Sequence, residues 1–189
     1  MENKSKLNRK FASGNLVLVG MMGAGKSTMG RVLAKHTGRR FVDSDVEIQN
    51  RTGVTIPHIF DVEGEGGFRQ RESSVIEEIL GANNIVLATG GGAILAEYNR
   101  TLLQSRGIVI YLQANVNELW QRTRHDKNRP LLQTENPHKK LTELFEQRDP
   151  LYRQIADVVI QTGKQSVHTL MLQLVDKLEA FREEQLRSV

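Results

Sequence analysis

The sequence predicts a three-layer α/β/α fold with a five-stranded parallel sheet, and three observations lead to it. Short apolar runs at 16–19, 85–88 and 108–112 alternate with stretches of helical periodicity. The run Leu16-Val17-Leu18-Val19 feeds directly into Gly20-Met21-Met22-Gly23-Ala24-Gly25-Lys26-Ser27, which satisfies the phosphate-loop pattern G-x-x-x-x-G-K-[ST]. Three predicted strands end in chemically distinctive residues, and ligands of open α/β sheets bind beyond those carboxyl ends.

Taken in order, residues 15–20 form a first strand buried on both faces. Met29, Val32 and Leu33 recur at helical spacing after Lys26, and Gly38 ends that helix. Phe41-Val42 is a short second strand delivering Asp43-Ser44-Asp45. Ser44 is expected to cap a helix through Gln49 that Gly53 stops. Thr55-Ile56-Pro57 opens another helix, which Gly64, Gly66 and Gly67 interrupt before periodicity resumes from Phe68 to Leu80. Ile85 to Ala88 is the third strand and runs into Thr89-Gly90-Gly91-Gly92. A helix over 96–105 leads to the fourth strand, Ile108 to Leu112.

Asn115 reads as the cap of a helix carrying Leu119 and Trp120. The polar stretch 124–138, broken by Pro130 and Pro137, reads as a long mobile loop, and such loops are commonly lids. A helix from Lys139 to Arg148 ends before Asp149-Pro150. Asp157 to Ile160 is the fifth strand, and Leu170, Met171, Leu174, Val175 and Leu178 mark the packed stripe of a last helix.

The 189 residues contain no cysteine, which excludes a disulfide scaffold and any thiolate metal site or nucleophile. No apolar stretch is long enough to span a bilayer and no secretory pattern opens the chain, so a cytoplasmic protein is expected. Of the net charge of +4, the tail 1–14 holds Lys4, Lys6, Arg9 and Lys10 against Glu2. With Phe11 as its one aromatic, that tail reads as a flexible solubilising extension, and nucleic acid is not an expected partner. Residues 15–189 are expected to form a single domain.

The glycines of the loop allow backbone N–H groups to surround a polyphosphate. Lys26 would neutralise its β- and γ-phosphates, and the Ser27 hydroxyl would ligate Mg²⁺. Asp43 and Asp45 would share a face if the chain stays extended there. One would then hold the metal through water and the other would accept a proton from an acceptor hydroxyl. The competing reading is a helix cap. The triple glycine exposes bare amides where many phosphate-loop proteins place a metal-binding Asp, so the metal would lean on Ser27 and Asp43. Arg69 and Arg148 are candidates to grip a carboxylate, although each alone reads as a solvated surface arginine. Arg129 would close over ATP from the loop.

Six ordered motifs, GMMGAGKST at 20–28, DSD at 43–45, GFRQRE at 67–72, TGGGA at 89–93, RPLL at 129–132 and RDPLY at 148–152, make the chain resemble the shikimate kinases. These are phosphate-loop enzymes of the nucleoside-monophosphate-kinase-like branch. The resemblance runs from about Asn15 to near the C-terminus. It implies transfer of the ATP γ-phosphoryl group to the 3-hydroxyl of shikimate, on the route to chorismate and the aromatic amino acids.

It further implies that Gly23, Ala24, Gly25, Lys26, Ser27 and Thr28 bind ATP. Arg129 would be the lid arginine, and Arg122 and Gln165 would lie near the adenine. Asp45, Arg69, Gly91, Gly92 and Arg148 would bind shikimate, with Asp45 as base and Glu72 orienting Arg69. Segment 44–72 would close on shikimate and 124–138 on ATP. A monomer is expected. The rival readings are a kinase for another small hydroxy-acid such as gluconate, and a catalytically inactive nucleotide-binding regulatory module.

Overall fold

The computed structural model describes residues 14–126 and 129–187, so the tail assigned to 1–14 lies outside the described residues except for Gly14. Five strands, β1 (Asn15–Val19), β2 (Arg40–Asp43), β3 (Ile85–Ala88), β4 (Gly107–Gln113) and β5 (Val158–Gln161), form one parallel sheet in the order β2-β3-β1-β4-β5. Strand β1 lies at its centre, with Leu16 beside Val86 on one side and Ile108 on the other. All five β1 residues are buried, as a two-sided apolar run requires.

The helices are α1 (Lys26–Thr37), α2 (Ser44–Thr52), α3 (Ile56–Leu80), α4 (Glu97–Arg106), α5 (Val116–Thr123), α6 (Pro137–Ile155) and α7 (Val167–Arg187). Helices α1 and α7 pack together on one face of the sheet, while α3, α4 and α6 associate on the other. This is the expected three-layer architecture. The stripe Leu170, Met171, Leu174, Val175 and Leu178 of α7 is buried, and Phe181 packs beside it.

Several local expectations are corrected. Asp43, not Ser44, caps α2, its Oδ1 accepting from the amides of Asp45 and Val46 at 3.1 and 3.3 Å. Ser44 is instead a buried helical residue whose Oγ accepts from the Gly90 amide at 3.0 Å. Asp45 is therefore helical, and the pair 43/45 does not share a strand face. The carboxylate of Asp43 is nearer the orphan amides of the first turn, and a carboxylate there also meets the positive end of the helix dipole.

Of the three glycines expected to interrupt α3, only Gly64 leaves helical geometry, with φ 70° and ψ −179°. Gly66 and Gly67 continue the helix. Helix α6 does not stop at Arg148 either: it starts at Pro137 under an Asn136 cap and passes through Pro150 to Ile155. A proline inside a helix costs about 3 kcal/mol. Here Leu141, Leu144, Arg148, Tyr152 and Ile155 form one buried stripe along α6, and burial of that order of apolar surface exceeds the proline cost. The stretch 124–138 is not wholly irregular, since Pro130–Leu132 forms a 3₁₀ turn.

Candidate active site

The loop 20–27 leaves β1 and enters α1 through Gly25, which caps the helix in the left-handed region at φ 93° with no side-chain cap. The first-turn amides of α1 therefore keep no side-chain competitor for an anion. Gly20 also needs its glycine, because at φ 143° a Cβ would stand 2.5 Å from the Leu112 carbonyl oxygen. Lys26 folds back over the loop and its Nζ donates to the carbonyls of Gly20 and Met21 at 2.7 and 2.9 Å. Burial pushes its pKa down to about 8, with Arg129 and Arg148 adding to the fall and Asp45 and Asp43 opposing it.

Ser27 Oγ donates to Asp43 Oδ2 at 2.5 Å. Among the described residues no group of three or more His, Asp or Glu side chains could hold a metal. A cation here would depend on this hydroxyl–carboxylate pair together with phosphate oxygens. An all-oxygen, ligand-poor set of that kind fits Mg²⁺, which keeps its waters and shares substrate phosphates.

Beyond the loop lie two adjoining clefts. One is lined by Gly23, Gly25, Lys26, Ser27, Thr28, Asp43, Thr89 and Arg122. The other is lined by Ile56, Phe60, Phe68, Arg69, Glu72, Gly90, Gly92 and Arg148. Met22, Asp45, Gly91 and Arg129 line both, so they stand where the two clefts meet. Asp45 Oδ1 is shielded from solvent without a hydrogen-bond partner. Burial raises the pKa of Asp45, as does Asp43, while Lys26, Arg129 and Arg69 work against the rise.

Arg148 is 2% exposed, which excludes the surface reading, and its Nε is a buried donor without a partner. Arg69 is held by two carboxylates: Nη1 meets Glu72 Oε2 at 2.7 Å and Nη2 meets Glu65 Oε1 at 2.9 Å. Arg129 pairs with Asp126 at 2.9 Å. The Gly92 Cα faces the Arg69 guanidinium so closely that a Cβ would overlap it.

Arg122 bridges two loops, donating to the Gly23 carbonyl at 3.2 Å and the Gly163 carbonyl at 2.9 Å. Gln165 lies apart from the phosphate cleft. It lines a neighbouring cleft with Gln113, Phe145 and Gln161, which shares Asn115, Glu118 and Gly163 with the cleft reached by Arg122. Sequence reasoning missed the apolar wall of Ile56, Phe60 and Phe68, whose two phenyl rings lie 4.9 Å apart. The helical spacing of 56 and 60, and of 68 and 72, on either side of the glycines was the available signal. It also missed Ser44 beneath Gly90.

A family model described as shikimate kinase matches residues 22–179. The chain belongs to the shikimate kinase family. A shikimate kinase of Nitrosospira multiformis is 55% identical over 175 residues, spanning 93% of this chain and 90% of that one. Among solved structures, the shikimate kinase from Acinetobacter baumannii in complex with shikimate superposes with a TM-score of 0.89 at 49% identity. That match covers 92% of this chain and 97% of the other. A gluconokinase from Sinorhizobium meliloti, with a TM-score of 0.61 and 17% identity over 93% and 97% of the two chains, shares the fold alone. No described helix is long and apolar enough to cross a membrane.

Proposed function

We propose that the chain is an ATP-dependent kinase that phosphorylates the 3-hydroxyl of shikimate, giving shikimate 3-phosphate and ADP in aromatic amino-acid biosynthesis. The observation that carries this reading is the common wall of the two clefts. Asp45 faces both the anion-binding loop and a pocket furnished with two arginines for a carboxylate. Family membership supplies the substrate, and the 17% likeness to gluconokinase gives no ground for preferring gluconate. Lys26, Ser27 and Asp45 are all intact, which disfavours an inactive regulatory module.

In this mechanism Gly23, Ala24, Gly25 and Thr28 surround the triphosphate, and Lys26 exchanges its loop carbonyls for phosphate oxygens. Ser27, and Asp43 through water, would hold Mg²⁺, which supplies charge neutralisation on the phosphates. Arg69 and Arg148 take the shikimate carboxylate, with Gly91 and Gly92 beside it and Glu72 fixing Arg69. The Asp45 carboxylate, which lines both clefts, accepts the hydrogen bond of the attacking hydroxyl and receives its proton as the new P–O bond forms and the bridging P–O bond to ADP breaks. Arg129, at the junction, meets the charge on the transferring phosphoryl group.

Arg122 and the neighbouring Gln165 cleft are assigned to the nucleoside end. Segments 44–72 and 124–138 close over the substrates and exclude water that would hydrolyse ATP. The chain acts as a monomer in the cytoplasm, with no nucleic-acid partner.

Shikimate-dependent ADP release, assayed beside gluconate and with Asp45→Asn as control, tests the proposal. Turnover with shikimate and a fall of about 10²-fold or more in the variant are expected. Equal rates with gluconate, or an unimpaired variant, would overturn it.

A further inference from the structure

Tyr152 lies on α6 one turn beyond Arg148 and is completely buried. Its hydroxyl donates to the Gly91 carbonyl at 2.5 Å and approaches Met21 Sδ at 3.9 Å. Gly91 itself packs on the phosphate loop, where a Cβ would come within 3.3 Å of the Met22 amide nitrogen. One phenol thus touches the triple-glycine turn and the phosphate loop, and it also meets Arg148, one turn back on the same helix.

The ring is held as firmly as the hydroxyl. It stacks on Tyr111 of β4 with centroids 4.9 Å apart. Tyr111 in turn donates to Asp149 Oδ1 at 2.6 Å, while Arg153 binds Asp149 Oδ2 at 2.7 Å. Asp149 and Tyr152 therefore fasten α6 at two points around Pro150, the position where a helix ordinarily fails. Burial keeps the Tyr152 phenol above its ordinary pKa, so it remains a donor.

We infer that Tyr152 is a positioning residue for the phosphoryl transfer: by holding the Gly91 carbonyl it fixes the Gly91–Gly92 peptide plane and the register between the acceptor pocket and the phosphate loop. A peptide C=O and the following N–H point in opposite directions, so an anchored Gly91 carbonyl sets the direction of the Gly92 amide. Removing the hydroxyl takes this partner from the half-buried Gly91 carbonyl and loosens the turn where the two clefts meet.

This inference rests on the shikimate kinase reading. Tyr152→Phe keeps the ring stack and removes only the hydroxyl. In a steady-state assay it should raise the KM for shikimate about five- to tenfold and leave the KM for ATP within about twofold. A purely structural tyrosine would lower the melting temperature without that split. Asp149→Asn, which leaves the phenol in place but loosens α6, should give a smaller rise in the same KM, and it serves if the first variant does not fold. Wild-type turnover with an unchanged shikimate KM in the variant overturns the inference alone. Absence of shikimate-dependent ADP release from the wild type overturns the functional reading and this inference with it.

Discussion

Arg69 and Glu72 meet at 2.7 Å on neighbouring turns of α3, the arginine opening onto the acceptor cleft and the glutamate wholly buried behind it. Burial raises the Glu72 pKa to about 7, although Arg69 pulls the other way, and the nearby charge of Asp45 adds to the rise. The folded chain therefore binds this proton more tightly than the unfolded chain does. Stability from that source is complete below the ordinary glutamate pKa and is lost as pH climbs through about 7. Glu72→Gln should flatten the fall in urea midpoint across that window relative to wild type. It should also raise the KM for shikimate, because a neutral amide holds the guanidinium less firmly. A variant with the wild-type pH profile would assign the proton elsewhere.

Lys26 titrates in the opposite sense. Its pKa, pushed down to about 8 by burial, should climb again when a triphosphate brings negative charge to the loop. ATP binding above about pH 8 should then take up a proton, approaching one per site by about pH 9 and vanishing near pH 7. Calorimetric titrations in two buffers of different ionisation heat would measure it, and Lys26→Met should abolish it. Proton uptake that persists in Lys26→Met would place the titrating group outside the loop.

How far the sequence reaches is shown by these residues. The phosphate loop was legible because its glycines, Lys26 and Ser27 must stand at fixed spacings to wrap a phosphate. The layered fold was legible from the apolar runs. Arg148 was not: alone it reads as a surface residue, and only the burial of Leu144, Tyr152 and Ile155 along α6 carries it inward. The same tertiary burial overrides Pro150, which local propensity treats as a stop. Asp43 and Ser44 exchanged roles because Gly90, 46 residues away, supplies the amide that occupies the serine. Contacts across such separations leave no periodic signal.

Gly92 offers a separation of folding from binding. Its φ of −100° suits any residue, but a Cβ would fall on the end of the Arg69 side chain. That guanidinium is the far end of a flexible chain and can swing aside, so Gly92→Ala should change the melting temperature little. The displaced fork no longer meets the carboxylate, and the KM for shikimate should rise about tenfold or more. Unchanged shikimate kinetics would mean that Arg69 does not bind the acceptor from its observed position.

Gly64 makes the converse case, in which backbone strain is the whole effect. At φ 70° and ψ −179° it occupies a region almost restricted to glycine, yet nothing lies within 4 Å of where a Cβ would stand. The kink turns 56–63 so that Ile56 and Phe60 face Phe68 and Arg69 across the acceptor cleft, and Arg71 spans it to Glu63 at 2.7 Å. Gly64→Ala must either carry the strain, costing about 1–3 kcal/mol, or straighten α3 and withdraw the apolar wall. Denaturant unfolding should register the first outcome, and a raised shikimate KM with an unchanged ATP KM the second. A variant with wild-type stability and wild-type kinetics would show that the kink is not required for the site.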